Sequence, residues 1–165
     1  MSAGNPSRSR GPDPEEIAGH CRALEQRWHA EIPISRVMGI EVVDYVDSCL
    51  RVRAALEPNV NVHGSAFAGS QFSIASLCGW GQIYLQLARR GRQGSIVFVD
   101  GSIRCLQPVR AAMQATCTAP ESLAAGLDEL ERSGRARLVL VTTIVSDGAL
   151  AAEFTGTYGV RLRDQ

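Results

Sequence analysis

The chain has 165 residues, enough for one domain of ordinary size, and 45% of them are apolar, enough for a buried core. Its 17 basic and 17 acidic residues balance, which gives no reason to expect nucleic acid or a membrane surface as a partner. The five cysteines include no C-x-x-C pair, which predicts free thiols in a reducing compartment and no zinc or redox site. We therefore expect a cytoplasmic protein.

The N-terminal segment, residues 1–12, is rich in serine, glycine, arginine and proline and has no apolar core. This composition predicts a disordered tail and neither a signal peptide nor an anchor. Residues 13–165 are predicted to form a single domain. Asp13-Pro14-Glu15-Glu16 predicts a helix start, with a cap, a proline at the first position and acids in the first turn. The helix should end before Ile32-Pro33, because proline disfavours helix in the preceding residue.

Two strands and a long helix are predicted next. Residues 40–46 and 49–56 show the alternation of a hairpin. A helix at about 69–90 is apolar around almost its whole circumference, which predicts that it is buried. Gly79 and Gly81 in its interior lower its helix propensity and predict close approach to a neighbouring backbone.

The remaining residues are predicted to be mostly strand, at 95–106, 111–118, 138–145 and 149–160. A short helix is predicted between the second and third of these strands. It would start at the capping-box pattern Thr118-x-x-Glu121 and be closed by Gly134. Asp147-Gly148 predicts a tight turn between the last two strands.

This order of elements predicts an α+β fold, with an antiparallel sheet wrapped around one long central helix. An N-terminal helix and an inserted surface helix complete it. The other face of such a sheet also needs cover, so we expect a second subunit to supply it in a homodimer.

Four motifs in chain order resemble those of the hot-dog superfamily, and within it a family of thioesterase domains that includes the domain fused behind an acetyltransferase in some enterobacterial proteins. The motifs are Met38-Gly39-Ile40, Asn61-x-His63-Gly64-x-x-Phe67-Ala68-Gly69-Ser70, Gly79-Trp80-Gly81 and residues 100–109, which read D-G-S-I-R-C-L-Q-P-V. Ala68 replaces a glycine of the family pattern, and Cys105 stands where tyrosine is common. The resemblance covers nearly everything from about Ile34 onward.

The resemblance implies a hot-dog fold and hydrolysis of acyl thioesters carried by coenzyme A or by acyl-carrier protein. It implies a homodimer, which further pairing would extend to a tetramer. No metal and no resident cofactor are expected, since the substrate itself would carry coenzyme A or phosphopantetheine.

The start of the central helix is the predicted catalytic centre. Backbone amides at Gly69 and Ser70 point out of the helix and can stabilise the negative charge that develops on a thioester carbonyl. The alternative is that Gly69 only shapes a loop-to-helix turn. Asn61 is the predicted side-chain participant, because its amide can donate to the carbonyl or hold a water. The alternative is an Asx-turn, in which Asn59 and Asn61 only shape the backbone.

Two positions depart from the better-known thioesterase pattern. Phe67 stands where histidine is often found, and Ser76 stands where an aspartate or glutamate is often found. No carboxylate occurs between Glu57 and Asp100, so the usual general base is missing from the central helix. Ser70, Ser73 and Ser76 lie along one side of this helix and could orient a water. Otherwise they are small residues bonded back to the backbone.

His63 could replace the missing base, since its unperturbed pKa is near 6.5, or it could be a loop residue in solvent. A histidine here also raises the alternative of an enoyl-thioester hydratase or dehydratase. That family has D-x-N-P-x-H, whereas here only Val62 separates Asn61 from His63. The missing carboxylate motivates a further alternative, a non-catalytic domain that binds acyl thioesters or has a regulatory role.

Substrate-binding residues are predicted around the same helix start. The acyl chain would lie against the helix and the opposing sheet, lined by Phe67, Ala68, Phe72 and Ser73, with Trp80 further along; plain core packing is the alternative for the aromatic rings. Phosphate groups of the carrier would need cations near the pocket mouth, and Arg104 is the candidate. Other arginines available for this role are Arg89, Arg90, Arg92 and Arg110.

Overall fold

A computed structural model describes residues 13–163, so the predicted tail at 1–12 lies outside the described residues. The elements in chain order are α1 (Pro14–Glu31), α2 (Pro33–Val37), β1 (Glu41–Val46), β2 (Cys49–Ala54), a 3-10 turn (Glu57–Asn59), α3 (Ala68–Arg89), β3 (Gly94–Cys105), β4 (Met113–Thr118), α4 (Glu121–Ser133), β5 (Arg135–Ser146) and β6 (Ala149–Leu162).

The strands form one six-stranded sheet in the order β1-β2-β4-β5-β6-β3, and all neighbouring strands are antiparallel. Two tight turns fix its hairpins. Asp147 and Gly148 have φ of 51° and 74°, and Asp47 and Ser48 have φ of 49° and 60°. Positive φ at both central residues matches the twist of the flanking strands. The predicted α+β hot-dog fold is therefore confirmed.

Helix α3 lies against one face of the sheet and contacts β2, β3, β4, β5 and β6. Its buried residues include Ile74 and Ile83, which pack with Trp28 of α1 and Tyr158 of β6 in one apolar core. Helix α1 covers β1 and α3, and α4 packs on β5 through its buried leucines. None of the helices within residues 13–163 is long and apolar enough to cross a membrane.

The opposite face and one edge of the sheet are exposed. Val139 and Val141 of β5 point away from the helices, and each is 54% exposed. Strand β3 is the last in the sheet order and, in the described part of the chain, pairs with β6 alone. Its consecutive residues Val97, Phe98 and Val99 are exposed to solvent. An apolar edge strand of 12 residues offers unpaired backbone groups to another chain.

Two local predictions were wrong, and one short helix was not predicted. The N-cap of α4 is Pro120 and no described side chain caps it, because Thr118 is still in β4 and bonds Cys49. Helix α1 ends before Ile32-Pro33 as predicted, but Pro33 then starts α2, since proline suits the first turn of a helix. A Cβ on Gly79 or Gly81 would meet side chains of other elements, not a neighbouring backbone. For Gly79 the obstacle is Tyr158.

Candidate active site

The loop before α3 is anchored by Asn59. Its side chain is 2% exposed, and its Nδ2 donates to the carbonyls of Met38 at 2.9 Å and Ala55 at 2.8 Å. The backbone carbonyl of Asn59 accepts a hydrogen bond from the amide of Phe67 at 2.7 Å. Asn59 therefore joins the two ends of the loop and belongs to its framework.

Asn61 holds the middle of the loop. Its Oδ1 accepts from the amides of His63 at 2.8 Å and Ser65 at 3.2 Å. Its Nδ2 donates to Ser65 Oγ at 3.1 Å and lies 3.4 Å from the carbonyl of Ala66. Gly64 completes the turn with φ +70°. The Asn61 side chain thus forms the Asx-turn that was the alternative to a catalytic role. One of its two Nδ2 hydrogens makes only the long contact with the carbonyl of Ala66.

Among residues 13–163, the first three amides of α3, those of Ala68, Gly69 and Ser70, have no hydrogen-bond acceptor and are free in this sense. The first amide bonded within the helix is that of Gln71, which donates to the carbonyl of Phe67 at 3.1 Å. The N-cap residue Phe67 has an extended backbone, and it makes no side-chain cap within the described residues. No acidic residue lies in the first turn. Three donors and the positive end of a 22-residue helix dipole therefore converge here.

Gln71 is a buried residue of this centre that sequence reasoning missed. It is 4% exposed, its Nε2 donates to the carbonyl of Ala66 at 3.2 Å, and Cys105 Sγ of β3 lies 4.0 Å from its Oε1. The Ala66 amide donates to Val109 at 2.8 Å. Gln71 therefore ties the helix start to the loop and to the end of β3. A polar side chain one turn into an apolar helix was the signal for it.

An aromatic cluster lies beside the first two turns of α3. Phe72 makes edge-to-face contacts with Phe98 at 5.7 Å and Phe154 at 5.0 Å between ring centroids. Phe98 also contacts Tyr158 at 5.7 Å. Phe98 is on the exposed edge strand and is 37% exposed, so the cluster opens to solvent at that edge. The sequence analysis identified Phe72 but not Phe98 or Tyr158, since only the sheet register brings them to the helix.

Two of the three serines of α3, Ser73 and Ser76, are bonded to the backbone of the helix. Ser73 Oγ donates to the carbonyl of Gly69 at 2.8 Å, and Ser76 Oγ donates to that of Ser73 at 3.0 Å. The carbonyl of Ser76 accepts from Tyr158 Oη at 2.9 Å. Burial raises the pKa of Tyr158 well above its ordinary value, so this hydroxyl stays a donor. The third predicted serine, Ser70, contributes its free backbone amide to the start of α3.

Three predicted residues lie at the mouth of the centre. His63 is exposed on the loop, and Phe67 is 56% exposed. The Phe67 ring covers Gly69, where any Cβ would collide with it. Ala68 is also exposed at the helix start. A small residue at 69 is therefore required for this position of the ring.

The predicted arginines are divided between the two ends of α3. Arg104, near the end of β3, is exposed and bonds Glu153 at 2.6 Å. Arg90 and Arg92 lie at the other end of the helix, where Arg90 bonds Asp128 and Glu131 at 3.3 and 3.2 Å. Because a helix of 22 residues is about 33 Å long, these two are remote from the free amides.

The model of the family described as "Putative thioesterase (yiiD_Cterm)" matches residues 21–162. The chain belongs to this family. The matched range includes the whole sheet, α3 and the loop before α3. The resemblance read from the four motifs is confirmed.

Solved structures agree with this family and with its fold. A putative thioesterase from Shewanella oneidensis is 36% identical, with a TM-score of 0.83 over 89% of this chain and 100% of that one. A protein of unknown function from Chlorobaculum tepidum TLS is 30% identical, with a TM-score of 0.84 over 89% and 97%. A probable thioesterase from Pseudomonas aeruginosa is 19% identical with a TM-score of 0.74 over 86% and 95%, and it supports the hot-dog fold alone.

Proposed function

We propose that this chain hydrolyses acyl thioesters of coenzyme A or acyl-carrier protein. The observation that carries the proposal is the set of three free amides at the start of α3, beside an aromatic cluster that opens to solvent. Membership of a thioesterase family supports the same reaction class.

In the proposed reaction, water attacks the thioester carbonyl and negative charge develops on its oxygen. The amides of Ala68, Gly69 and Ser70 stabilise that charge by hydrogen bonding and by the helix dipole. The carbon–sulfur bond then breaks, giving a carboxylic acid and a thiol. The missing side chain of Gly69 leaves room for the Phe67 ring, which would have to turn away for a carbonyl to reach these amides.

The side chains have separate roles in this proposal. Asn61 holds the loop and offers its weakly bonded Nδ2 hydrogen to the carbonyl or to the water. His63, which is exposed on the same loop, takes the proton from water. The acyl chain lies on Phe72 and Phe98, and Phe67 covers its entrance. Arg104 is the proposed cation for a phosphate of the carrier.

The test is a hydrolysis panel of acyl-CoA substrates of graded chain length. Asn61→Ala and His63→Ala are measured beside wild type, with Val62→Ala as the matched loop control because Val62 is 95% exposed. We expect both test variants to lose at least tenfold in kcat/KM and the control to keep it. Equal loss in the control would show that loop disturbance, not chemistry, is being measured.

A second candidate function is binding of acyl thioesters without hydrolysis. The observation that favours it is the lack of a carboxylate between Glu57 and Asp100, together with the bonding of Ser76 Oγ to the backbone. Tight acyl-CoA binding without turnover would establish this alternative. Addition of water to crotonyl-CoA would instead indicate a hydratase.

We also propose that two copies pair through β3 as a homodimer. The free edge of β3 and the exposed Val97, Phe98 and Val99 support this pairing. Light scattering should give about twice the chain mass of 17.7 kDa, and a charged residue in place of Val97 should shift the mass towards a single chain. Retention of the dimer by that variant would place the interface elsewhere.

A further inference from the structure

A cluster of arginines occupies the end of the sheet remote from the free amides of α3. Arg135 of β5 and Arg161 of β6 are directly opposite each other in the antiparallel register. Arg137 lies two residues further along β5 and therefore on the same face. Arg92, just after α3, lines the same end of the sheet. Like charges directly opposite each other destabilise a sheet, so this pair has no value for folding.

The acidic residues near this cluster are bonded to other arginines. Asp128 and Glu131 of α4 bond Arg90, and Glu129 bonds Arg132. Within residues 13–163, no carboxylate oxygen lies within 4.0 Å of a side-chain nitrogen of the four clustered arginines. Among the described residues, the cluster is therefore a local concentration of positive charge without an ion-pair partner.

The dimensions of the cluster fit adjacent phosphate groups. Directly opposed residues in an antiparallel pair have Cα atoms about 5 Å apart, and residues two apart on a strand are about 7 Å apart. Arg135, Arg137 and Arg161 thus present three guanidinium groups, each able to grip a phosphate through paired N–H donors.

A bare strip of sheet adjoins the cluster. Gly159 lies opposite both Arg137 and Val97, and it has no side chain to fill the space between them. Ser95, Val97 and Gly159 line one shallow groove with the three arginines. A flat aromatic base could rest on this strip, with the phosphates against the arginines.

We propose that this groove is a binding site for a nucleotide carrying clustered phosphates. Two sources share this chemistry, a free nucleotide such as ADP and the phosphorylated adenosine end of a coenzyme A molecule other than the substrate, whose phosphate is assigned above to Arg104. The site is separate from the proposed catalytic centre, since β3 alone spans about 33 Å between Ser95 and Cys105. The inference does not depend on thioester hydrolysis.

The test is calorimetric titration with coenzyme A, dephospho-coenzyme A and ADP, none of which is a thioester. The double variant Arg135→Gln/Arg161→Gln should bind ADP at least tenfold more weakly than wild type. Arg53→Gln is the matched control, because it removes one exposed, ion-paired arginine from a distant strand. The double variant relieves a repulsive pair, so its melting temperature should equal or exceed that of wild type.

A steric variant gives a second measurement that leaves every charge in place. A Cβ on Gly159 would lie 3.4 Å from Val99 Cγ2, an ordinary contact, so Gly159→Val should fold and fill the groove. It should weaken ADP binding at least fivefold. Equal affinities for ADP and coenzyme A would identify a free nucleotide as sufficient, and dependence on the 3′-phosphate would identify coenzyme A.

Three results would overturn the proposal. The first is that neither ADP nor coenzyme A binds at millimolar concentration. The second is that the affinity is unchanged in both the double variant and Gly159→Val. The third is that a single-stranded oligonucleotide binds more tightly than any of the nucleotides. The last result would reassign the cluster to nucleic acid. Loss of hydrolysis in the Asn61 variant has no bearing on any of these outcomes.

Discussion

Tyr158 of β6 donates a 2.9 Å hydrogen bond to the backbone carbonyl of Ser76 in the middle of α3. This contact is made possible by Gly79, one turn further along the helix, since any Cβ there would collide with the Tyr158 hydroxyl and lie 2.8 Å from Cζ of the ring. The buried Tyr158 side chain therefore joins the sheet to the helix, and the absence of a side chain at Gly79 leaves room for it.

Gly79→Ala should lower the free energy of unfolding by up to about 2 kcal/mol. Overpacking against Tyr158 costs about 1–3 kcal/mol, and the helix propensity of alanine offsets roughly 1 kcal/mol of that cost. Urea unfolding measures the change. Gly19→Ala in α1 is the control, because a Cβ there is 4.0 Å from its nearest neighbour and should be neutral or stabilising. A stabilised Gly79→Ala variant would contradict the tight packing.

Ala68→Pro should remove one proposed oxyanion donor without disturbing the fold. Proline suits the first position of a helix, where the N–H is free, and Phe67 has φ −62° and ψ 134°, which proline favours in the residue before it. We expect kcat to fall by about 10²–10³ while the melting temperature is unchanged. Wild-type turnover in this variant would exclude the Ala68 amide from the reaction.

Asn59→Ala should mainly lose stability, whereas Asn61→Ala should mainly lose hydrolytic activity. Asn59 is buried and donates to two carbonyls, so its loss should cost about 1–3 kcal/mol of stability because those carbonyls are left unsatisfied. Asn61 is only partly buried, and its removal should affect hydrolysis more than stability. Paired melting curves and kcat/KM values separate the two effects. The interpretation fails if the two variants lose stability equally.

The stability of the protein should fall in alkaline solution. Burial raises the pKa of Cys117 to about 12 from an ordinary value of 9.0. Between these values the unfolded thiol ionises while the folded thiol keeps its proton, so the folded state is favoured below pH 9 and loses that advantage as the pH rises. The loss is at most about 4 kcal/mol.

Denaturant titrations between pH 8 and 11 test this dependence. Cys117→Ala should flatten the decline, whatever its effect on stability at pH 8. Part of the decline should remain, because burial also raises the pKa of Cys78 and of Tyr158. Parallel curves for wild type and variant would show that Cys117 does not titrate in this way.

Local signals in the sequence predicted most of the elements. Asp13 caps α1 by accepting from the Glu15 amide at 3.0 Å, as its place before Pro14 suggested. The alternation of the strands and the Asp147-Gly148 turn predicted the long β5–β6 hairpin. The capping-box pattern at Thr118 predicted the wrong N-cap for α4, because Thr118 is still part of β4.

The site was less predictable, because its parts come from distant places in the sequence. The glycine and alanine at the start of α3 mark the free amides directly. Phe98 reaches Phe72 only through pairing of β3 with β6, and Gln71 meets Cys105 through the same pairing. The sequence also could not decide between a catalytic Asn61 and an Asx-turn, since both use the same amide.

Strand β3 is paired on one side only, and in an antiparallel ladder alternate backbone amides point to opposite sides. Half of its amides therefore donate to β6, and the other half face outward. In an isolated chain the outward half should exchange with deuterium within seconds to minutes and the inward half much more slowly. Joining of two such strands would protect both halves, so an exchange profile read residue by residue along β3 reports its pairing at any protein concentration.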